Sequence, residues 1–298
     1  MKEIIYLDKI SQYNEIKGTK TLHPLVSIID NHKKPLPNGK IHFGLYGIFL
    51  KDVKCGELKY GRSKYDYEEG TLVFIGPGQV IEINNKEDYR PKGWALLFHP
   101  DLIKGTSLGK NISKYSFFSY DMNEALHLSQ KERLIVIELF NIIKYELKSS
   151  IDKHSRNLIT NNIELLLNYC VRFYDRQFII REYVNKDILV SFERELDNYM
   201  NSEKPQLSGL PSVGYFAEKC NLSSNYFGDL IKKETGKSAQ EFIQLKIIDI
   251  AKEKIFETGK TINEIAYELG FKYPQHFSRM FKKQTGYSPN EYRMMNKN

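Results

Sequence analysis

Lys232-Lys233-Glu234-Thr235-Gly236-Lys237-Ser238 returns downstream as Lys282-Lys283-Gln284-Thr285-Gly286-Tyr287-Ser288. Each copy runs on through Ser-x-x-Glu to an aromatic, Glu241-Phe242 and then Glu291-Tyr292. Upstream, Phe216-Ala217 matches Ile265-Ala266, and Tyr226-Phe227 matches His276-Phe277. Each copy reads as a helix, a short turn and a second helix, the sequence form of a helix-turn-helix. Two such units, 212–236 and 261–286, joined by a helix, point to a transcription factor with an all-α C-terminal domain.

The local signals agree with that division. Ser212 is the expected N-cap of the first scaffold helix, with Val213, Phe216 and Ala217 inward, and Thr261-Ile262-Asn263-Glu264 reads as a capping box. Four residues after each alanine stands a residue that tolerates a left-handed backbone, Asn221 or Gly270. Helical geometry turns Phe227, Leu230 and Ile231 inward in the first unit, and Phe277, Met280 and Phe281 in the second. Asn225, Gly228, Asp229 and Lys232 then face outward, as do Gln275, Ser278, Arg279 and Lys282. With neighbouring Ser224, Lys233, His276 and Lys283, these polar residues form the candidate DNA-contacting set.

The two outward faces differ in chemistry. Arg forks onto guanine and Gln onto adenine in the major groove, so Arg279 and Gln275 suit base reading. Gly228 offers no side chain, and phosphates repel Asp229, although its carboxylate could accept from a cytosine amino group. The second unit is therefore expected to carry most of the base readout, and the first to position the protein through Lys232 and Lys233. Between the units, Ser238-Ala239-Gln240-Glu241 caps a helix expected to reach about Thr258, with Gly259 ending it. Leu245, Ile248, Ala251 and Ile255 form its stripe, widened by Ile247 and Ile250. Roughly twenty residues make a rod of about 30 Å, close to the ~34 Å between successive major-groove faces.

Further upstream the texture changes. To about Lys110, short apolar runs are cut by turn signals, among them Pro37-Asn38-Gly39, Lys54-Cys55-Gly56, Glu69-Gly70, Gly76-Pro77-Gly78 and Pro91-Lys92-Gly93. This punctuation predicts short antiparallel strands in a barrel or sandwich. A helix capped at Ser129 follows to about Lys148, with Leu134, Ile137 and Phe140 at helical spacing. A second covers roughly 156–177, with Ile159, Ile163, Leu166, Cys170 and Phe173 on one face and Leu165, Leu167 and Tyr169 on another. A helix apolar on two sides lies deep in a core or serves as an interface. Another starts at Asn185-Lys186-Asp187 and runs to about Met200, and 201–211 reads as a connecting loop.

The chain has 298 residues, with 44 Lys+Arg against 37 Asp+Glu. From Lys272 onward, Lys272, Arg279, Lys282, Lys283, Arg293 and Lys297 face Glu291 as the one acid, so the basic excess of the repeats sits in the second copy. Cys55, Cys170 and Cys220 are far apart, the usage of a reducing cytosol. No signal peptide is read at Met1-Lys2-Glu3, and the most apolar stretch, 134–143, is broken by Glu138 and Asn141. A cytoplasmic protein without a membrane partner is expected.

On these residues a family is recognisable. Ile265-Ala266-Tyr267-Glu268-Leu269-Gly270-Phe271, then His276-Phe277-Ser278-Arg279-Met280-Phe281-Lys282-Lys283, then Gly286-Tyr287-Ser288-Pro289-Asn290-Glu291-Tyr292-Arg293 resemble the DNA-binding domain of AraC/XylS-type transcription regulators. The resemblance implies a seven-helix domain with two helix-turn-helix units. Gly228-Asp229 departs from the larger polar residues that often stand there. Gly70-Thr71-Leu72-Val73-Phe74-Ile75-Gly76-Pro77-Gly78 looks like a cupin strand-turn. The family implies an α+β chain of three parts: a cupin-like antiparallel β-barrel sensor over 1–120, a helical dimerisation and connecting segment over 121–182, and the DNA-binding domain over 183–298. It also implies a small-molecule effector, a homodimer, contact with RNA polymerase and activation.

Phe43, Tyr46, Tyr60, Phe74 and Trp94 are the candidates to line an effector pocket, with strand packing as the alternative. Gln79-Val80-Ile81-Glu82 follows the cupin turn without the histidine that metal-binding cupins place there, and His42 and His99 stand alone. With no phosphate loop, nucleophile elbow or dinucleotide fingerprint, neither metal, cofactor nor enzyme is expected. A dimeric regulator without a ligand, a cupin-derived enzyme fused to a DNA-binding tail and a non-specific architectural protein are the rival readings.

Overall fold

The structure is a computed structural model that describes residues 4–30, 34–51, 70–85, 92–149, 152–257 and 259–295. The turn signals at Lys54-Cys55-Gly56, Glu69 and Pro91 lie outside those residues. The chain divides into two compact units, Met1–Arg181 and Glu182–Asn298.

The first unit is built from β1 (Ile5–Leu7), α1 (Ile10–Lys17), β2 (Val26–Asp30), β3 (Gly39–Phe43), β4 (Tyr46–Lys51), β5 (Thr71–Ile75), β6 (Gln79–Ile83) and β7 (Gly93–Phe98). Then come α2 (Pro100–Ile103), α3 (Ser107–Asn111), three 3-10 turns between Ile112 and Glu124, β8 (Leu126–His127), α4 (Gln130–Lys148) and α5 (Ser155–Ile180). The strands form two sheets, ordered β1-β3-β6 and β2-β7-β4-β5-β8. One pairing departs from the all-antiparallel expectation: β1 runs parallel to β3, Ile5 opposite Ile41. No tight hairpin could join them, and α1 and β2 supply the crossover that a parallel pair requires.

Period-two alternation builds the core between the sheets. In β3, Gly39, Ile41 and Phe43 are buried while Lys40 is exposed, and Ile41 and Phe43 share a cluster with Phe49, Val73, Ile75, Ala95 and Leu97. β5 is buried along its whole length because its other face is covered too, with Phe74 against Phe117 of a 3-10 turn at 4.4 Å between centroids. At Gly76-Pro77-Gly78 the chain passes from the five-stranded to the three-stranded sheet. Gly78 takes φ +90°, and a Cβ on Gly76 would stand 2.9 Å from the Phe118 carbonyl oxygen.

Helices α4 and α5 pack against each other and belong to this unit. Ser129 and Glu132 form the reciprocal capping box of α4. Its buried face is Val136, Leu139, Phe140, Ile143 and Leu147, so Phe140 of the expected spacing is buried while Leu134 is 53% exposed. Residues 134–143 are apolar at nearly every position, so spacing alone could not select a face. In α5 the expected face of Ile159, Ile163, Leu166, Cys170 and Phe173 is buried, joined by Leu167, whereas Leu165 stays exposed.

The second unit contains α6 (Glu182–Met200), α7 (Lys204–Ser208), α8 (Val213–Lys219), α9 (Ser224–Thr235), α10 (Ala239–Lys254), α11 (Ile262–Glu268), α12 (Pro274–Thr285) and α13 (Pro289–Met295). Three boundaries correct the sequence reading. Helix α6 starts before Asn185, and the expected loop holds the one-turn helix α7, because Pro205 stands in its first turn, where its missing N–H costs nothing. Helix α10 ends at Lys254 rather than near Thr258, after 16 residues, or about 24 Å. Arg293 takes the Ile255 carbonyl through Nε at 2.6 Å and the Lys260 carbonyl through Nη1 at 3.0 Å, which fixes the turn beyond the helix.

Two aromatic nodes hold this unit. Phe192 of α6 meets Phe216, Phe227 and Phe242 at 5.0, 5.1 and 5.3 Å between centroids, uniting α6, α8, α9 and α10. Phe281 of α12 meets Phe277 and Tyr292 at 5.7 and 5.3 Å. Each buried phenylalanine contributes roughly 2–3 kcal/mol over an exposed one. No helix among the described residues is long and apolar enough to cross a membrane.

Candidate nucleic-acid interface

The two repeats position their second helices with the same local devices. Ser212 caps α8 by accepting from the Tyr215 N–H at 3.2 Å, and Thr261 caps α11 by accepting from the Glu264 N–H at the same distance. In the turns, Asn221 takes φ +54° and Gly270 φ +90°. The following N–H groups, of Leu222 and Phe271, each donate to the carbonyl of the matched alanine, Ala217 or Ala266, at 2.9 Å. Gly270 has a second reason to be glycine: a Cβ there would stand 2.9 Å from the Pro205 carbonyl oxygen and from the Gly209 carbonyl carbon.

Helix α9 buries Tyr226, Phe227, Leu230 and Ile231; helix α12 buries Phe277 and Phe281, with Met280 half-buried. Opposite those faces stand the candidate contacts. Ser224, Asn225, Lys232 and Lys233 are exposed on α9, with Asp229 half-buried. Gln275, His276, Arg279, Lys282 and Lys283 are exposed on α12, with Ser278 half-buried. The structure thus brings each set onto one helix face. Helix α9 carries Lys232 and Lys233 against Asp229 and Glu234, a net charge of zero. Helix α12 carries Arg279, Lys282 and Lys283 and no acid, a net +3. Among the described residues no carboxylate pairs with those three cations.

Both helices stop at a left-handed glycine, Gly236 or Gly286, whose N–H donates to Lys232 or Lys282 at 2.9 Å. Ser238–Glu241 and Ser288–Glu291 then cap the next helix in each copy. Hydrogen bonds from Ser238, Thr261 and Ser288 hold the carboxyls of Glu241, Glu264 and Glu291 below the usual range, so all three stay ionised near neutrality. Glu257 and Glu268 clamp Lys260 at 2.6 and 2.9 Å and push its ammonium up to about 12, which ties the segment after α10 to α11.

Comparison with known proteins fits this geometry. A family model described as a helix-turn-helix domain matches residues 216–295. The TetD protein of transposon Tn10 from Escherichia coli is 32% identical over 144 residues, which cover 48% of this chain and 91% of TetD. The chain belongs to the AraC-type family of transcription regulators. LumQ of Photobacterium leiognathi, a probable transcriptional regulator, is 25% identical over 78% of this chain and 85% of its own. The lactose operon transcription activator of Staphylococcus xylosus is 26% identical over 83% of this chain and 85% of its own. Three Bacillus subtilis regulators match over 14%, 20% and 28% of their lengths. An AraC-type domain implies DNA as a partner.

Three features of this AraC-type domain escaped the sequence reading. Arg293 fastens α13 to the end of α10, with its Nη2 buried and unpartnered. Tyr273, exposed just before α12, lies 5.5 Å from His276 and beneath Lys272 at 5.7 Å, which extends the basic face. Asn185 donates to Glu234 at 3.2 Å, drawing that carboxylate toward α6. The Lys272-Tyr273-Pro274 run beside a helix start was the available signal for the second; the other two needed tertiary geometry.

The four aromatic candidates among the described residues stand in different surroundings. Phe43 lies in the core between the sheets. Tyr46 and Phe74 lie outside that cluster and share Phe118, at 5.0 and 5.6 Å. Trp94 packs under Lys144 at 4.4 Å, and Tyr60 lies outside the described residues. The His42 ring lies tilted against Tyr6 at 5.1 Å between centroids, and His99 caps α2 by accepting from the Asp101 N–H at 3.1 Å. Among the described residues no group of three His, Cys, Asp or Glu side chains is placed to hold a metal ion.

Proposed function

We propose that this chain is a sequence-specific, AraC-type transcription activator in which both repeats engage DNA and the second carries most of the base readout. The observation that carries the asymmetry is the face of α12: Gln275, Arg279, Lys282 and Lys283 exposed with no acid among them, against a neutral α9. The contacting set is Ser224, Asn225, Asp229, Lys232 and Lys233 in the first unit, and Gln275, His276, Ser278, Arg279, Lys282 and Lys283 in the second. Helix α10 alone, at about 24 Å, falls short of the ~34 Å groove repeat. The offset of each reader from its ends, or a bend in the DNA, supplies the difference.

The same reading makes 1–120 a cupin-like sensor of a small-molecule effector and 121–182 a dimerisation segment. Leu134, Ile142 and Tyr145 on α4, and Leu158, Leu165 and Ile179 on α5, are exposed and support a homodimer face. Activation, with RNA polymerase as a partner, is supported by the likeness to the lactose operon activator. Effector binding would shift which half-sites the two readers engage together. A dimeric regulator that needs no ligand is the second reading, favoured by the scatter of the aromatic candidates; a melting-point screen against sugars and acids separates the two.

The deciding experiment is selection of bound sequences from random duplex DNA by the full chain at near-physiological salt. Two half-sites about one helical turn apart are expected, the half read by α12 carrying the greater information content. Binding with steep salt dependence and no enriched sequence would overturn the reading in favour of a non-specific architectural protein.

A further inference from the structure

Strand β2 is the end strand of its sheet, and a cavity of about 70 Å³ opens beside it, between the loop after α1 and the last turns of α4. By the measure in which one water needs about 10–15 Å³, it holds roughly five. Lys20, Lys144 and Lys148 line it, the Lys144 ammonium standing over the neighbouring Trp94 ring at 4.4 Å from its centroid. No acid lines it, and none of the three lysines pairs with a carboxylate among the described residues. Lys144 and Lys148 near a helix C-terminus are the ordinary complement of the helix dipole. That does not account for Lys20, which arrives from the loop after α1. Three like charges with no acid among them repel one another around one small depression, and an anion there offsets that cost.

The rest of the wall narrows the ligand class. Leu22, Val26 and Leu147 give it an apolar side. The neutral hydroxyls are engaged already: Ser27 donates to the Asn14 side-chain oxygen at 2.8 Å, and Thr19 donates to the Asn14 carbonyl at 3.3 Å. A sugar needs donors and acceptors in alternation, and the ammonium groups are donors only. We propose that this cavity binds a small organic carboxylate, its charge among Lys20, Lys144 and Lys148 and its apolar body against Leu22, Val26 and Leu147. The inference rests on the effector reading and gives it a place outside the core between the sheets. A carboxylate held there ties α4 to β2 and to the α1 loop, and α4 carries the exposed apolar residues of the proposed dimer face.

The test is calorimetric titration of the full chain with benzoate, butyrate, benzamide and inorganic phosphate, alongside affinity for the selected DNA. Benzoate or butyrate is expected to bind and benzamide to fail. Lys20→Gln and the Lys144→Gln/Lys148→Gln pair are each expected to weaken binding about tenfold or more, the scale of one charged hydrogen bond. Lys20 is exposed, so its variant reads the site without removing a core residue, as an unchanged melting point would verify. Absence of carboxylate binding overturns the proposal, as does benzoate binding that survives both variants. Phosphate binding as tight as the carboxylates overturns the organic class. If a carboxylate binds through the lysines and DNA affinity stays unchanged, the site stands and the effector reading falls.

Discussion

Ala217 and Ala266 accept the same backbone hydrogen bond at the same 2.9 Å; Gly236 and Gly286 end the second helices alike; and Ser238 and Ser288 open the next helix through the same box. The two repeats thus share caps, turns and stops, and part company on their outward faces, net zero on α9 and +3 on α12. The scaffold of a helix-turn-helix is set by a few backbone requirements that many sequences meet. The exposed face is not so constrained, and there one copy can specialise in reading while the other holds position.

Sharing of the scaffold predicts equal sensitivity at matched core positions. Phe227→Ala and Phe277→Ala, both at 0% exposure, should each cost about 3–5 kcal/mol in denaturant unfolding. A cost twice as large in one copy would show that the cores are not equivalent. The turns should then separate the copies. Gly270→Ala forces a Cβ against backbone at 2.9 Å with φ +90°, and is expected to lose about 2–3 kcal/mol or more. Asn221→Gly should change stability by a few tenths of a kcal/mol, since glycine accepts the left-handed backbone.

The outward faces are tested by binding. Arg279→Ala should cost about 1–3 kcal/mol, a loss of about fivefold to 150-fold, and flatten preference at one base position. Asp229→Ala should leave affinity equal or tighter, and a larger loss of specificity there than at Arg279 would reverse the assignment of roles. The smallest effect expected concerns salt. Lys282→Ala/Lys283→Ala and Lys232→Ala/Lys233→Ala should each reduce the slope of log affinity against log salt by about 2, with no change in preferred sequence. A flat response from either pair would remove that pair from the phosphate contacts.

Much of the second unit was legible because its signals are local. Ser212, Thr261, Asn221 and Gly270 each answer a backbone need within four residues of themselves. What stayed hidden was decided at a distance. The end of α10 depends on Arg293 reaching back to Ile255, and α7 on a proline whose first-turn role resembles that of a loop residue. In the first unit, the inward face of α4 could not be chosen from a run apolar on every side. The aromatic candidates could not be sorted either, because composition does not say on which face of a sheet a residue such as Phe74 will point.

Helix α10, whose 16 residues lie between the two proposed readers, also sets a phase. Each residue of an α-helix advances about 1.5 Å and rotates by about 100°. Losing or gaining one residue in α10 would swing the second reader a quarter-turn or more away from the groove that the first one faces. Insertions near a whole turn would come closest to restoring register. Under the proposed double readout, the distance between usable half-sites is therefore not tuned by small steps. It is a discrete quantity written into the linker, so target sites are expected to drift in sequence far more readily than in spacing.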